Sequence, residues 1–357
     1  MKLKAIKVSA FLMIFITIIA YSCKDISKEN ELPRNVKEKS EVLLSDTIRF
    51  EKDFELAKEF FVYNDSVLIV LNRKYENTNF IEIYELKNLK LIGSFFRLGS
   101  GPDEMLSALA VLNENLLIVS DYVKNAIGVV NIDSVLNNPT YRVTPYRHYL
   151  ESPSIVPFFE GNKLVAENSK SFKDEDLGVD TKLPRLLLID KHARFIDTQK
   201  TEYYTRNVTC DGDIITNKKT KRIVYSYMCK PLLEFYDENL NLIKSIKGPD
   251  KLPAKYRIEN KEIIFDGVVP YTYLNFCSNN NNFWVTYIGD YLTNGKRMED
   301  FPIWIFEFDW NGNFIKSYNA KQYISSISIS KSSDLFYATG YDSDKSPILL
   351  KLSKNKN

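Results

Sequence analysis

A strand–turn–strand pattern that recurs along the chain limits the fold more than any other feature of the sequence. Four copies end in isoleucine, any residue, and then Ser or Thr: LKLIGS (89–94), ARFIDT (193–198), LNLIKS (240–245) and GNFIKS (312–317). An apolar run such as FIEIYEL or IWIFEFDW precedes each copy, so each unit is a hairpin. The repeated isoleucines lie 104, 47 and 72 residues apart. These steps fit a unit of about 50 residues, with a degenerate copy near 141–146 and an insertion near 248–262.

A second hairpin precedes each of these units, so each repeat holds four strands, as a β-propeller blade does. The first strands of the repeats open near Phe60, Ala108, Ile155, Gly212, Tyr273 and Ser326. No long segment has the 3.6-residue period of a helix. Six openings predict six blades. A seven-bladed ring and an open two-domain β protein are the alternatives, and the former needs more repeats than the sequence shows.

The two ends of the repeat region complement each other. The last repeat stops after its third strand, PILLKL (347–352), and the N-terminal run EVLLSDTIRF (41–50) is a strand without a hairpin partner. Pairing the two closes the ring and removes an exposed edge. The sequence therefore predicts an all-β, six-bladed β-propeller over residues 41–357, closed by the N-terminal strand.

The first residues form a targeting segment. Lys2, Lys4 and Lys7 precede the apolar run AFLMIFITIIA (10–20), which has the length of a secretory h-region. That run is shorter than the ~20 residues of a transmembrane helix. Residues 1–22 are therefore predicted to be a signal peptide. Residues 23–40 are charged and lack aromatic side chains, which predicts a disordered tether.

Two motifs link the chain to a known family. Ser22-Cys23 after the h-region resembles the lipobox of bacterial lipoproteins, although Ala20 and Tyr21 depart from its usual Leu and small residue. The segment LGSGPDEM (98–105) resembles a G-x-G-P-x-E segment between the first two blades of TolB-like six-bladed propeller lipoproteins of Bacteroidota. With hairpins of the YDENLNLIKS type, the chain is similar to that family. The resemblance implies lipidation of Cys23 and anchoring in the outer membrane, facing the periplasm or the surface. An ordinary signal peptide with an incidental cysteine is the alternative.

Several classes of partner find no support in the sequence. A formal net charge of +2 gives no basic face for nucleic acid. His148 and His192 have no cysteine or second histidine at metal-ligand spacing, so no metal site is predicted. Gly99-Ser100-Gly101-Pro102 lacks the Lys-Ser/Thr of a phosphate-binding loop and is predicted to be a structural turn. No cofactor is predicted.

Propeller geometry indicates which face binds a ligand. The loops after the second and fourth strands of each blade lie on one face, and the long ones are 168–183 and 289–301. We call this the long-loop face. The candidate ligand-binding residues beside its strands are Arg147, Tyr204, Arg206, Tyr271, Tyr291 and Tyr341. Aromatic and cationic side chains suit a sugar or peptide. The alternative is that these residues pack between blades or face solvent.

No Ser-His-Asp or paired-carboxylate arrangement is visible in the sequence. The predicted function is therefore a membrane-anchored, non-enzymatic binding or scaffold protein that engages a protein, peptide or glycan through the long-loop face. The alternative is a glycan- or peptide-active lyase or hydrolase with its site at the mouth of the central channel. Because propeller enzymes assemble their sites from distant blades, two carboxylates, or a His and an Arg, converging there would favour the enzyme.

One hairpin predicts a disulfide. In CDGDIITNKKTKRIVYSYMC (210–229), a turn centred between Lys219 and Thr220 pairs residues whose numbers add to 439. Cys210 and Cys229 satisfy that relation, so they face each other near disulfide distance, and export permits oxidation. A bulge at 211–213 would instead turn them to opposite faces. Cys277 is predicted to be a buried thiol.

Overall fold

The computed structural model describes residues 30–354, except 49–56, 73–78, 102–103, 107, 122, 125, 139, 148–154, 158–162, 168–185, 191–194, 199–211, 254–255, 260–261, 266–267 and 294. Nearly all regular structure in these residues is β-strand. The exceptions are a short helix, α1 (Ile132–Asn137), and a 3-10 turn at Met298–Asp300. Among the described residues, no helix is long and apolar enough to cross a bilayer.

The strands fall into groups along the chain. Three short strands come first: β1 (Asn30–Glu31), β2 (Glu41–Val42) and β3 (Leu44–Ile48). The next groups are β4 (Ala57–Tyr63), β5 (Val67–Asn72), β6 (Asn79–Glu85) and β7 (Leu91–Arg97), then β8 (Ala108–Asn113), β9 (Leu116–Asp121), β10 (Ala126–Asn131) and β11 (Tyr146–Arg147), then β12 (Ile155–Pro157), β13 (Lys163–Glu167), β14 (Leu186–Asp190) and β15 (Phe195–Thr198). The remaining groups are β16 (Gly212–Asn217), β17 (Arg222–Tyr227), β18 (Leu232–Tyr236) and β19 (Leu242–Lys247), a separate hairpin of β20 (Tyr256–Glu259) and β21 (Glu262–Phe265), then β22 (Val268–Ser278), β23 (Asn282–Thr293), β24 (Trp304–Asp309) and β25 (Phe314–Asn319), and finally β26 (Ser326–Ile329), β27 (Leu335–Tyr341) and β28 (Pro347–Ser353).

Each group of four forms an antiparallel sheet in which chain order is spatial order, and the last group takes β3 as its fourth strand. The described strands thus make six sheets of four or five strands and one two-stranded sheet. Neighbouring sheets contact each other, and β26 of the last sheet packs against β4 of the first. Consecutive up-and-down sheets arranged in this way are a β-propeller. The first strands open near the positions that the sequence predicts, and the β20–β21 hairpin overlaps the predicted insertion and extends beyond it to Phe265.

The recurring hairpins are specified by their turns rather than by their isoleucines. The first residue of the motif has a positive φ in three copies, at Leu89 (55°), Leu240 (60°) and Gly312 (74°). An aspartate at the strand end accepts backbone hydrogen bonds from its own turn, as Asp309 does from the amides of Asn311 and Asn313. The motif isoleucines lie on the fourth strands of their sheets, and Ile315 is 48% exposed.

The N-terminal segment differs from its prediction. Residues 30–40 were expected within the disordered tether, yet the chain from 30 to 48, here called the N-terminal strap, lies along the outer edges of three sheets. In it, β1 pairs parallel with β19, β2 pairs parallel with β25, and β3 pairs antiparallel with β28. Residues 24–29 lie outside the described residues.

Buried side chains explain why the N-terminal strap is ordered. Leu32, Val36 and Leu43 are at most 5% exposed and pack into the cores of the sheets beneath. Lys37 forms a 2.7 Å ion pair with Asp250, and its ammonium lies 4.5 Å from the ring centre of Trp304. The charged composition of 23–40 therefore concealed two apolar anchors, Leu32 and Val36.

The last sheet contacts both ends of the described chain. Leu44–Ile48, within the strand predicted to pair with PILLKL, lies antiparallel to β28, with Leu350 opposite Thr47. Hydroxyl groups of the same sheet reach the first one: Thr339 Oγ1 accepts a 2.8 Å hydrogen bond from the Phe60 amide, and Ser328 Oγ accepts one from Val62. The Phe60 carbonyl accepts from Ser326 Oγ at 2.9 Å.

The fifth sheet also differs from its prediction. Residues 289–301 were expected to form a long loop, but β22 and β23 continue as paired strands of 11 and 12 residues. Val268 lies opposite Thr293, and Pro270 opposite Tyr291. The β-branched and aromatic side chains of this stretch favour strand pairing over a loop. The other predicted long loop, 168–183, lies outside the described residues.

Candidate functional site

Charged side chains meet inside the propeller, where the first strands of the sheets surround its axis. A cavity of about 140 Å³, here called the channel cavity, lies between β4, β8, β16, β22 and β26. Its lining is largely apolar, with Phe61, Leu112 and Ile215 among the wall residues. The charged members are Lys58 and Glu59 from β4 and Asp213 from β16. The sequence analysis predicted none of these three residues as part of a site.

A local irregularity in β4 directs two consecutive charged residues into the same cavity. Side chains alternate between the faces of a regular strand, so Lys58 and Glu59 would point in opposite directions. The pairing with β5 shifts register between Ala57 and Glu59, which leaves Lys58 as the extra residue of a β-bulge. Bulges re-aim side chains and are frequent beside functional sites. Lys58 and Glu59 therefore both line the cavity.

The two carboxylates have raised pKa values. Burial raises the pKa of Glu59, and the charge of Lys58 opposes that shift. Burial, and then the negative charge of Glu59, raises the pKa of Asp213 to about 7. Two like charges in an enclosed site resist simultaneous ionisation. The pair therefore holds a proton near neutral pH, which is the property expected of acid and base groups at functional sites.

Three tyrosines lie at the long-loop end of the fifth and sixth sheets, where Tyr271 and Tyr323 pack against the core of these sheets. Tyr271 lies near the start of β22 and Tyr341 ends β27, as the sequence analysis placed them. Tyr323, which it did not name, precedes β26 and stacks on Tyr341 with ring centres 6.0 Å apart. Burial is the largest cause of a raised pKa at Tyr323, followed by Tyr341, Glu299, Glu59 and Tyr271. Tyr323 therefore lies within electrostatic reach of Glu59, and we call Tyr271, Tyr323 and Tyr341 the tyrosine end.

Hydrogen bonds fix the position of the tyrosine end. Tyr341 Oη donates to Ser325 Oγ at 3.1 Å, and the Ser325 carbonyl accepts from Asn275 Nδ2 at 3.0 Å. Asn275 also lines the channel cavity. Tyr271 is half-buried, and burial is the largest cause of its raised pKa, followed by the nearby Cys229. The aromatic rings are thus held in place rather than freely solvated.

The other predicted site residues are dispersed. Tyr291 lies on the extended part of β23, where its hydroxyl donates to the Pro253 carbonyl at 3.2 Å. Arg147 belongs to β11, opposite Ala126 of β10. Tyr204, Arg206 and the lipidation candidate Cys23 lie outside the described residues, as do both histidines. The structure therefore brings Tyr271 and Tyr341 together and leaves Tyr291 at a separate position.

The cysteine hairpin has the predicted register. Gly212 lies opposite Tyr227 and Asn217 opposite Arg222, so every pair in β16–β17 adds to 439. The register prediction is confirmed. Cys229 is 6% exposed, and Cys210 lies outside the described residues. The disulfide therefore stays a prediction. Cys277 is buried, and burial raises the pKa of its thiol.

A second cavity opens at the opposite end of the channel, where the sheets have their short turns. It measures about 410 Å³ and is lined by polar groups of the first, second, fifth and sixth sheets. Asp133 accepts hydrogen bonds from Tyr63 Oη at 2.9 Å and from Asn115 Nδ2 at 2.7 Å. Asn279 Oδ1 accepts hydrogen bonds from the amides of Asn281 and Asn282, and Asn279 Nδ2 donates one to Ser333 Oγ. These contacts join the polar groups of Asp133 and Asn279 to partners within the protein.

The glycine-rich segment is a structural turn, as predicted. Lys124 Nζ donates to the carbonyl oxygens of Gly99, Gly101 and Glu104, and Glu104 Oε2 accepts from the Gly101 amide at 2.7 Å. A cation surrounded by backbone carbonyls leaves no donor set for a phosphate. Within the described residues, no three His, Cys, Asp or Glu side chains are grouped so as to hold a metal ion.

No protein-family model matches the chain, and no curated protein matches it. Among solved structures, a member of the DUF4221 family from Bacteroides vulgatus is 12% identical with a TM-score of 0.54, covering 88% of this chain and 98% of that one. A protein from Bacteroides fragilis described as exported is 14% identical (TM-score 0.48; 93% and 99% covered), and a streptogramin B lyase is 10% identical (0.45; 88% and 98%). The first likeness agrees with the sheet topology: this chain is a β-propeller with a fold similar to that of the Bacteroides vulgatus protein.

Proposed function

We propose that this chain is an exported lipoprotein, anchored through Cys23 to the outer membrane, with a TolB-like body of six blades closed by the N-terminal strap. The h-region followed by Ser22-Cys23 supports export and lipidation. The pairing of β3 with β28 and the contacts of β26 with β4 support a closed ring. The periplasmic and surface faces of the membrane are both compatible with these observations.

The function that the geometry supports best is binding of a peptide or glycan at the tyrosine end of the channel. The grouping of Tyr271, Tyr323 and Tyr341, with Tyr323 within electrostatic reach of the channel carboxylate Glu59, carries this proposal. Rigid tyrosines offer a large amphipathic contact area at low conformational-entropy cost, and a few convergent polar groups set the orientation of a ligand. Binding of this kind requires no catalytic activity.

The raised pKa values favour a second candidate. Asp213, with a pKa raised to about 7, shares the channel cavity with Glu59, whose pKa burial also raises. Such a pair can supply a general acid and a general base to a lyase or hydrolase. A search for release of product from the bound ligand tests this candidate, with Asp213→Asn as the inactive control.

A glycan and peptide array probed with residues 30–357 tests the binding function. Substituting Tyr341 by Ala should weaken the selected ligand by about 30-fold, because buried tyrosine anchors contribute about 2 kcal/mol or more to interfaces. Tyr291→Ala is the matched control, since that tyrosine lies apart from the tyrosine end. Equal losses in the two variants, or no loss in either, would contradict the proposal.

A further inference from the structure

The charges that line the channel cavity do not balance when both carboxyl groups are ionised. Glu59 and Asp213 would bring two negative charges, and Lys58 brings one positive charge. No described residue donates a hydrogen bond to either carboxylate or forms an ion pair with it. Glu59 and Asp213 are only partly exposed, and charges withdrawn from water are normally paired or hydrogen-bonded, because leaving one unpaired is costly. The cavity thus lacks one cation with hydrogen-bond donors.

The size and the walls of the cavity limit what can supply that cation. At about 140 Å³, the cavity is smaller than the 300–1,000 Å³ typical of pockets that enclose a whole ligand. It fits one group of a larger molecule. Apolar side chains such as Val111, Ile214 and Ile327 form much of the wall and suit a hydrocarbon stem. A hydrated metal ion would make no favourable contact with these apolar side chains.

We propose that the channel cavity receives a primary ammonium group, on an aliphatic stem or an amino sugar, from the ligand that the tyrosine end holds. The ammonium donates hydrogen bonds to Glu59 and Asp213, and together with Lys58 it balances both carboxylates. This inference rests on the proposed function, because the tyrosine end is the entrance through which the rest of the ligand extends.

Binding of the ammonium group is coupled to the release of a proton from the carboxyl pair. Among the described residues that line the cavity, Lys58 on β4 is the charged group beside the pair, and Tyr323 of the tyrosine end lies within electrostatic reach of Glu59. Burial and the charge of Glu59 raise the pKa of Asp213 to about 7, so this carboxyl group titrates near neutral pH. A bound cation favours the ionised form of both carboxyl groups, so binding releases one proton to solvent. The affinity therefore rises with pH as the pair loses its proton, by up to about tenfold per pH unit below the pKa.

The experiment compares n-butylammonium with n-butanol, which has a similar stem and no charge, by NMR titration of residues 30–357. At about pH 8, the amine should bind about tenfold or more tightly than the alcohol, and its affinity should fall at about pH 6. Calorimetry in two buffers of different ionisation enthalpy should register the released proton. Equal affinities, no detectable binding of the amine, or no proton release would overturn the proposal.

Substitutions of the two carboxylate residues test whether the amine binds in the channel cavity. Asp213→Asn and Glu59→Gln should each weaken amine binding about tenfold or more, since a buried charge pair is lost. Asp133→Asn, in the opposite cavity, is the matched control and should leave amine binding unchanged. If a variant fails to fold, the comparison of n-butylammonium with n-butanol in the natural protein still tests whether the cavity binds an ammonium group. An array ligand that lacks an amine and depends on Tyr341 would refute this inference alone, whereas amine binding without any effect of Tyr341→Ala would refute the proposed function alone.

Discussion

The order of the N-terminal strap can be tested with two adjacent leucines. Leu43 is 3% exposed and packs in the cluster that contains Trp284, Tyr318 and Phe336, and its amide donates to the Asn319 carbonyl at 3.0 Å. Leu44, the next residue, is 53% exposed. Truncating a buried leucine to Ala removes apolar contacts and leaves a cavity, which costs about 2–5 kcal/mol. Because the strap lies at the edge of the fold and can relax, the lower end of that range applies.

Leu43→Ala should therefore lower the free energy of unfolding by about 2 kcal/mol, whereas Leu44→Ala should change it by less than about 0.5 kcal/mol. Urea unfolding of residues 30–357, followed by tryptophan fluorescence, measures both values. The midpoint should shift without a change in the slope, since the surface exposed on unfolding is nearly the same. If the two variants unfold alike, the strap is the loose tether that its composition suggests, and its described packing is wrong.

Three further predictions concern the carboxyl pair, the anchor and the cysteines. Because the pKa of Asp213 is raised to about 7, the folded protein keeps a proton that the unfolded chain releases near pH 4. The free energy of unfolding should therefore fall as the pH rises from about 4 to about 7, and Asp213→Asn should weaken this pH dependence in urea unfolding. An unaltered pH dependence in the variant would refute the raised pKa. Changing Cys23 to Ala should release the protein from membranes or leave it unprocessed, and persistent acyl labelling of this variant would refute lipidation at that residue. Non-reducing mass mapping of exported protein should join Cys210 to Cys229; two free thiols would reject the bridge while leaving the hairpin intact.

The sequence predicted the parts of the fold that depend on local patterns. The openings of the sheets follow from short apolar runs, and the β16–β17 register follows from one four-residue turn. The repeat itself was recognised through its isoleucines, but the conserved physical feature is the positive φ at the first motif residue. Edge strands such as β1 were not predicted, because two residues among charges carry no periodic signal.

The site was only partly predictable. Tyr271 and Tyr341 were found because aromatic residues beside first and second strands must lie on the long-loop face. Glu59 and Asp213 were missed, since they come from different sheets and a bulge in β4 aims Glu59 inward. The sequence signal for these residues was a charged side chain near the start of the first strand in two of the sheets: Glu59 in AKEFFVY and Asp213 in GDIITN. Only the arrangement of the described sheets around the channel cavity shows that these two carboxylates share it.

The central claim is that the ligand enters the tyrosine end and reaches the channel cavity rather than the opposite cavity. Isoleucine methyl NMR distinguishes the two, because Ile214 lines the channel cavity and Ile329 lines the other. With the ligand selected on the array, the Ile214 methyl signal should show a saturable shift and the Ile329 signal should stay unchanged. A shift of Ile329 with Ile214 unaffected would place the site at the short-turn end and refute binding in the channel cavity.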